Sequence, residues 1–240
     1  MKVASKPIHE IDARQQTGHP YYLLIAASSA QFIVLTIVAM LLYPGGLLTD
    51  ETTIGYDFFR NFFSDLGRTV SYAGEPQWGS AVLFFIALSG AGLGLIYFFI
   101  HAPKLFRGQR VERILAIIGS VFGVVSGICF IGVALTPANL LVRPHILFVQ
   151  LAFPTFMVVV IFYALAIWRT PFYPNIYAWS YVVFGVLLAA YIYLLFWGPP
   201  AGDDIGLMIN ATGQKIIAYT SLSIMLVQSI GAWQIDKIGK

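Results

Sequence analysis

The chain has 240 residues, of which 58% are hydrophobic and only 10% are charged, and its net charge is +3. Soluble domains average about 25% charged residues, so this composition excludes a single water-soluble core. No basic run is interleaved with aromatic residues, which excludes nucleic acid as a partner.

Six apolar blocks are long enough to cross roughly 30 Å of hydrocarbon as helices, at about 1.5 Å per residue. No block carries Asp, Glu, Lys or Arg in its middle, and aromatic residues cluster at the block ends, as they do at membrane surfaces. We therefore predict an all-α fold, a polytopic bundle of six transmembrane helices. The predicted spans are 21–43, 78–101, 114–136, 146–168, 176–197 and 214–234.

The distribution of Lys and Arg predicts the orientation of this bundle. Ten of the 14 cations fall in segments on the same side as the N-terminus, and four fall on the other side. Because positive charge is retained in the cytoplasm, both termini are predicted to be cytoplasmic. Residues 1–20 then form a cytoplasmic tail and residues 21–236 the transmembrane domain, which we expect in the plasma membrane of the cell.

The first outer connection, residues 44–77, is the longest between two spans. Its sequence GYDFFRNFFSDLG, at 55–67, spaces five apolar residues by one, three or four: Phe58, Phe59, Phe62, Phe63 and Leu66. This spacing places one aromatic face on a short helix. The pattern predicts an interfacial helix lying on the outer leaflet. An ordinary loop helix that caps the bundle is an open alternative.

Span three carries Gly119, Gly123 and Gly127 at intervals of four. Small residues at this spacing let two helix backbones approach closely, which stabilises helix pairs inside a membrane. We predict that these glycines pack against a neighbouring helix and do not line a substrate path. The only cysteine, Cys129, lies in the same span, so the chain has no internal disulfide.

The last outer connection, residues 198–213, reads GPPAGDDIGLMINATG. Its Gly and Pro content predicts a flexible, acidic loop. This interpretation places Lys215 at the point where span six begins.

Polar residues on the outer side form a candidate site: Ser64, Asp65, Arg143, His145 and Lys215. Charges near the headgroups bind lipid phosphates, or pair with one another and hold the loops in place, and both interpretations are open. A shielded carboxylate needs a cation or a donor. We therefore hypothesise that Asp65 meets Arg143 or His145 and docks the loop helix over the bundle.

Catalytic and cofactor signatures are missing from the sequence. His101 and His145 fall at opposite ends of their spans, whereas a membrane haem needs two histidines at one depth. Zinc-ligand spacings and a GxSxG nucleophile motif do not occur. The spans also lack the carboxylates and cations that ion-coupled transporters use. We expect no catalytic residue, no metal and no cofactor.

Residues 62–69, FFSDLGRT, resemble the damage-regulated autophagy modulator family of six-span membrane proteins, and its uncharacterised prokaryotic relatives more closely. The matching positions are Ser64, Asp65, Gly67 and, near the start of span four, His145. Leu66 matches the prokaryotic form. The resemblance implies a non-enzymatic membrane protein associated with lipid handling, and autophagy itself is not carried over.

These observations predict a non-catalytic integral membrane protein that interacts with lipids at the outer leaflet. Its expected partners are membrane lipids, together with a second copy of the chain or another membrane protein. The alternative is an uncoupled transporter or flippase-like protein, which requires a continuous water-accessible path. A third hypothesis is an intramembrane enzyme that uses Asp65 and His145, which requires both groups at one cavity.

Overall fold

The computed structural model describes residues 19–238. Most of the predicted cytoplasmic tail, residues 1–18, lies outside the described residues. Within the described range every regular element is a helix, which confirms the all-α prediction. Two isolated β-bridges, Gly45 to Ile54 and Val70 to Pro76, occur in the first long loop.

Six of the described helices are long and apolar enough to cross a membrane. They are α1 (Leu24–Leu41), α2 (Trp78–His101), α3 (Arg110–Leu135), α4 (Val142–Arg169), α5 (Asn175–Trp197) and α6 (Asp204–Ile238). The chain is therefore an integral membrane protein. The first five helices begin and end within a few residues of the predicted spans.

Helix α6 differs from its prediction, because it begins at Asp204 and not near residue 214. The Asp203 carboxylate accepts a hydrogen bond from the Gly206 amide at 2.7 Å, and the Asp203 carbonyl accepts from the Leu207 amide at 2.9 Å. Asp203 thus caps the helix and satisfies its first free amides. The predicted flexible loop is wrong over 204–213, and Lys215 lies about three turns inside the helix.

Each helix packs against its neighbours in the sequence, and α6 packs against both α5 and α1. This arrangement closes the bundle into a ring. Aromatic side chains fill much of its interior, including Phe99 on α2, Phe156 and Tyr163 on α4, and Tyr181 on α5. Burying such large rings contributes strongly to packing.

The glycines of α3 all face neighbouring helices. A Cβ atom on Gly119 would lie 2.8 Å from the Tyr163 ring, and one on Gly127 would lie 2.8 Å from the Gly92 carbonyl oxygen. A Cβ on Gly123 would overlap the Phe99 ring. Helices α2 and α4 therefore place a ring or a backbone atom against each of these glycines, which leaves α3 no room for a side chain there.

Gly123→Leu should lower the midpoint of thermal unfolding in detergent, because the added side chain must displace the buried Phe99 ring. Overpacking of this kind costs about 1–3 kcal/mol. The matched control is Gly79→Leu on α2, since Gly79 is exposed and its nearest neighbour, Leu42, would lie 3.5 Å from an added Cβ. Equal melting of the two variants would show that α3 tolerates a larger side chain at this contact.

We call residues 44–77 the cap, since they fold over one end of the bundle. The regular helix within the cap is the five-residue 3₁₀ helix Phe63–Gly67, shorter than the segment predicted from the aromatic spacing. Residues 57–60 form a turn, because the Asp57 carboxylate accepts from the amides of Phe59 and Arg60 at 2.8 and 3.1 Å. Such side-chain bonds compete with the backbone bonds of a helix.

The apolar residues of the cap divide into two groups. Phe63 and Leu66 are buried between α1, α2 and α6, where the Phe63 ring stands edge-on to Phe32 at 5.7 Å and to Tyr219 at 5.5 Å. Phe58 and Phe59 are instead 42% and 57% exposed. The cap therefore inserts one apolar pair into the bundle and presents another pair outward.

Candidate functional site

Asp65 is the centre of a buried polar cluster beneath the cap. It is only 3% exposed and lies in the first turn of the 3₁₀ helix. Its Oδ2 atom accepts hydrogen bonds from the Phe62 amide at 2.8 Å and from the Asn61 side-chain amide at 3.3 Å. A carboxylate three residues after the start of a helix satisfies the free amides there, as in a capping box.

Asn61 links Asp65 to the rest of the cap and to α6. Its Nδ2 atom also donates to the Gly46 carbonyl at 3.0 Å and to the Tyr43 hydroxyl at 3.4 Å. Its backbone carbonyl accepts from the Lys215 ammonium and, at 3.2 Å, from the Tyr56 hydroxyl. Asn61 therefore bridges the buried carboxylate and the buried cation.

Lys215 is 2% exposed and occupies a cage of three aromatic rings. Its Nζ atom lies 5.4, 5.3 and 5.6 Å from the ring centroids of Tyr56, Phe58 and Phe63. The carbonyls of Asn61 and Ala211 accept hydrogen bonds from this ammonium. Ring faces attract a cation, and the attraction is largest where water is excluded. The cage thus holds the ammonium of α6 against the cap.

The electrostatics of the cluster are set by burial. Burial raises the pKa of Asp65 to about 6, although the hydrogen bonds from Phe62 and Asn61 and the charges of Arg68 and Lys215 oppose this rise. Burial also raises the pKa of Tyr56 and of Tyr43, and the charge of Asp65 adds to both shifts. Both phenols therefore remain neutral donors at physiological pH.

Further hydrogen bonds fix the cap to three parts of the bundle. Gln77, the last residue of the cap, donates from its side-chain amide to the carbonyls of Asp65 and Arg68 at 2.6 and 2.7 Å. The Ser80 hydroxyl of α2 donates to the Leu66 carbonyl at 3.0 Å. Gln214 on α6 accepts from the Phe63 amide at 2.7 Å. The cap is thus held by α2 and α6 as well as by its own contacts.

Asn139 supplies the third connection, from the loop between α3 and α4. Its Oδ1 atom accepts from the Thr69 amide at 3.0 Å, and its Nδ2 atom donates to the Thr69 hydroxyl at 2.8 Å. These two hydrogen bonds from one side chain fix both the position and the orientation of Thr69 relative to the loop. The cap is therefore held by polar groups of α2, of α6 and of the loop between α3 and α4.

The hypothesis that Asp65 meets Arg143 or His145 is wrong. Among the described residues neither a hydrogen bond nor an ion pair joins Asp65 to these groups; its contacts are local and with Asn61. His145 is buried and its Nδ1 atom pairs with the Thr136 carbonyl at 2.7 Å, which ties α4 to the end of α3. Arg143 is exposed, and Ser64 makes no side-chain hydrogen bond within residues 19–238.

Of the five predicted site residues, Asp65 and Lys215 are brought together and the other three are not. The sequence reasoning missed the uncharged members of the cluster: Tyr43, Tyr56, Asn61, Gln77 and Asn139. Only Asn61 carried a local signal: it lies four residues before Asp65, a spacing that places both side chains on one side of a helical turn. Gln77 and Asn139 carry no comparable local signal, since their partners are distant in the sequence.

A small cavity of about 70 Å³ lies inside the bundle below the cap. Its lining is almost wholly apolar and includes Phe32, Phe153 and Met225. The hydroxyls of its two serines, Ser29 and Ser221, donate to carbonyls of their own helices at 2.9 and 2.7 Å. Water occupies about 30 Å³ per molecule in the liquid, so this space is far smaller than a path across the bundle.

The arrangement can hold a cation and a carboxylate apart from water, but it does not align a nucleophile with a base. Within residues 19–238 no group of three or more His, Cys, Asp or Glu side chains is placed to hold a metal ion. Comparison with protein-family models, with curated proteins and with solved structures finds no match for the chain.

Proposed function

We propose that the chain is a non-catalytic protein of the plasma membrane that interacts with lipids at the outer leaflet through its cap. The supporting observation is the pair Phe58 and Phe59, which is exposed on a segment whose backbone is otherwise fixed. Beside this pair, Ile54 is 97% exposed. Large apolar side chains held outward at the end of a membrane bundle are stabilised by contact with the headgroup and acyl boundary.

The rigidity of the cap supports this proposal. The Thr212 hydroxyl of α6 donates to the Phe59 carbonyl at 3.2 Å, and the Asp57 carboxylate accepts from the Phe59 amide. Both polar groups of the Phe59 backbone are thus hydrogen-bonded to other groups of the protein. Its ring can enter an apolar environment without carrying an unsatisfied amide or carbonyl with it.

The transporter alternative receives less support from the interior. An uncoupled transporter or flippase needs polar groups along a continuous path, whereas the cavity below the cap is small and apolar. Above that cavity, the cap is tied to α2 and α6 by the contacts of Ser80 and Gln214. A small, apolar interior favours a role at the membrane surface.

The enzyme alternative requires Asp65 and His145 at one cavity. Asp65 belongs to the cluster with Asn61, whereas His145 pairs with Thr136 at the junction of α3 and α4. Neither residue lines the internal cavity. The separation of these two networks favours a non-catalytic function.

Spin labels at defined positions test whether the cap touches lipid. Cys129 is the only native cysteine, so a Cys129→Ser background allows one label at a time. A nitroxide at Phe59→Cys in proteoliposomes should collide often with dissolved oxygen and seldom with a water-soluble nickel chelate, because the position faces acyl chains. Electron paramagnetic resonance power saturation measures both collision rates.

Two further label positions calibrate this measurement. Glu51→Cys, an exposed polar position of the same cap, should give the opposite pattern, typical of water. Val186→Cys, an exposed position within α5, provides the value for the bilayer interior. If the label at residue 59 matches residue 51, the cap stands clear of the membrane and the proposal fails.

A further inference from the structure

The end of the bundle opposite the cap carries a groove of about 450 Å³ at the start of α3. Its polar wall includes Gln109, Arg110 and Arg113, and its apolar wall is formed by Ile114 and Ile117. All four residues contributed by α3 are exposed. Two guanidinium groups thus stand beside an apolar surface that leads into the membrane-spanning part of the helix.

The guanidinium groups of this groove have no acidic partner in the described part of the chain. Glu112, the acidic residue between them, pairs instead with Arg169 of α4 at 3.2 Å. The Gln109 carbonyl oxygen Oε1 accepts from the Thr170 hydroxyl at 3.1 Å, which leaves the side-chain amide of Gln109 as a donor. The groove therefore offers two positive charges and an amide donor that have no acceptor among residues 19–238.

An exposed apolar track continues from the groove along α3. Ile114, Ile117, Val121, Val125 and Ile128 are all exposed. Their spacing of three or four residues places them on one side of the helix. The track begins next to Arg110 and Arg113 and runs toward the other side of the membrane, so charged and apolar parts follow one another as they do in a phospholipid.

We propose that this groove binds an anionic glycerophospholipid, with the headgroup phosphate on Arg110 and Arg113 and an acyl chain along the track of α3. Charge complementarity selects the anionic headgroup, because the planar guanidinium forms paired hydrogen bonds with phosphate oxygens. The apolar wall selects a lipid over a soluble phosphate. The site lies at the other end of the bundle from the cap and does not depend on the function proposed for it.

Native mass spectrometry of the full chain in detergent tests the site. Dioleoyl-phosphatidylglycerol should bind more tightly than dioleoyl-phosphatidylcholine, which has the same chains and a neutral headgroup. The double variant Arg110→Gln, Arg113→Gln should weaken phosphatidylglycerol binding about thirtyfold, the scale expected for two cations at a membrane surface. Both positions are exposed, so the fold should be unaffected, and the thermal melt of each variant checks this.

A second double variant, Arg107→Gln with Lys237→Gln, separates a site from general electrostatics. It removes two exposed charges from the same end of the bundle but none from the groove. Binding should change by less than about threefold in this control, because these two charges do not contact the headgroup and act on it only through screening solvent. Equal losses in the two double variants, or equal binding of the two lipids, would overturn the proposal. Displacement of the lipid by a large excess of inorganic phosphate would also overturn it, in favour of a soluble anion.

Discussion

Replacing Lys215 with methionine should destabilise the protein by about 3 kcal/mol at pH 7. Methionine fills a similar volume but removes the charge that faces Asp65 and a donor to the Asn61 carbonyl. The carboxylate then stays buried without its nearest cation on α6. Thermal unfolding in detergent, followed by the loss of tryptophan fluorescence, measures the change.

A second substitution shows whether the two charges interact. Asp65→Asn keeps an acceptor for the Phe62 amide and removes the negative charge, so Lys215→Met with Asp65→Asn should be more stable than Lys215→Met alone. Coupling of contacting groups is about 0.5–3 kcal/mol. Lys237→Met, at an exposed position near the end of the same helix, should change stability little. If Asp65→Asn restores nothing, the cation acts only through its aromatic cage.

The spans were predictable because a helix that crosses the hydrocarbon core needs a long run of mainly apolar residues. Helix α2 begins and ends where its apolar block does: Gln77 precedes it, and Pro103 follows it within two residues. The first three turns of α6 depend on hydrogen bonds and not on hydropathy. Their helix depends on the hydrogen bond that the Asp203 carboxylate accepts at its N-terminus. It also depends on the hydrogen bond from Thr49 to Asp204 at 2.7 Å, and Thr49 is distant in the sequence.

The candidate site was predictable only in part, for a similar reason. A shielded carboxylate needs a partner, and this requirement singled out Asp65 and included Lys215 among the possible partners. The choice of partner depends on how the cap folds, which is decided by the left-handed backbone of Gly46, at φ +88°, and by the insertion of Phe63 and Leu66. Residue spacing does not encode such contacts, so Arg143 and His145 appeared as suitable as Lys215.

Protonation of Asp65 should stabilise the protein as the pH falls, in contrast to the titration of most paired carboxylates. The pKa of Asp65 is about 6 in the folded protein, above its ordinary value of 3.8, because burial disfavours the charged form. The folded state therefore binds the proton more tightly than the unfolded state. The resulting stabilisation is complete below about pH 4 and is lost as the pH rises through about 6.

This linkage corresponds to about 3 kcal/mol over the whole interval, and to about 2 kcal/mol between pH 4.5 and pH 7.5. Relative to Asp65→Asn, the unfolding midpoint of the wild type should rise by several degrees on acidification across that range. Other carboxylates also titrate there, so the decisive quantity is the difference from Asp65→Asn, which should lack this component. The control Glu51→Gln removes an exposed carboxylate of the cap and should follow the wild type.

The variant Lys215→Met sharpens the same test, because the charge of Lys215 lowers the pKa of Asp65 in the native protein. Without that charge the titration of Asp65 should move to higher pH and its amplitude should increase. The stability difference between the wild type and Lys215→Met should then be smaller at pH 4.5, where Asp65 is mostly protonated, than at pH 7.5. Parallel profiles at all pH values would show that Asp65 titrates independently of α6, and the network through Asn61 would then be a local feature of the cap.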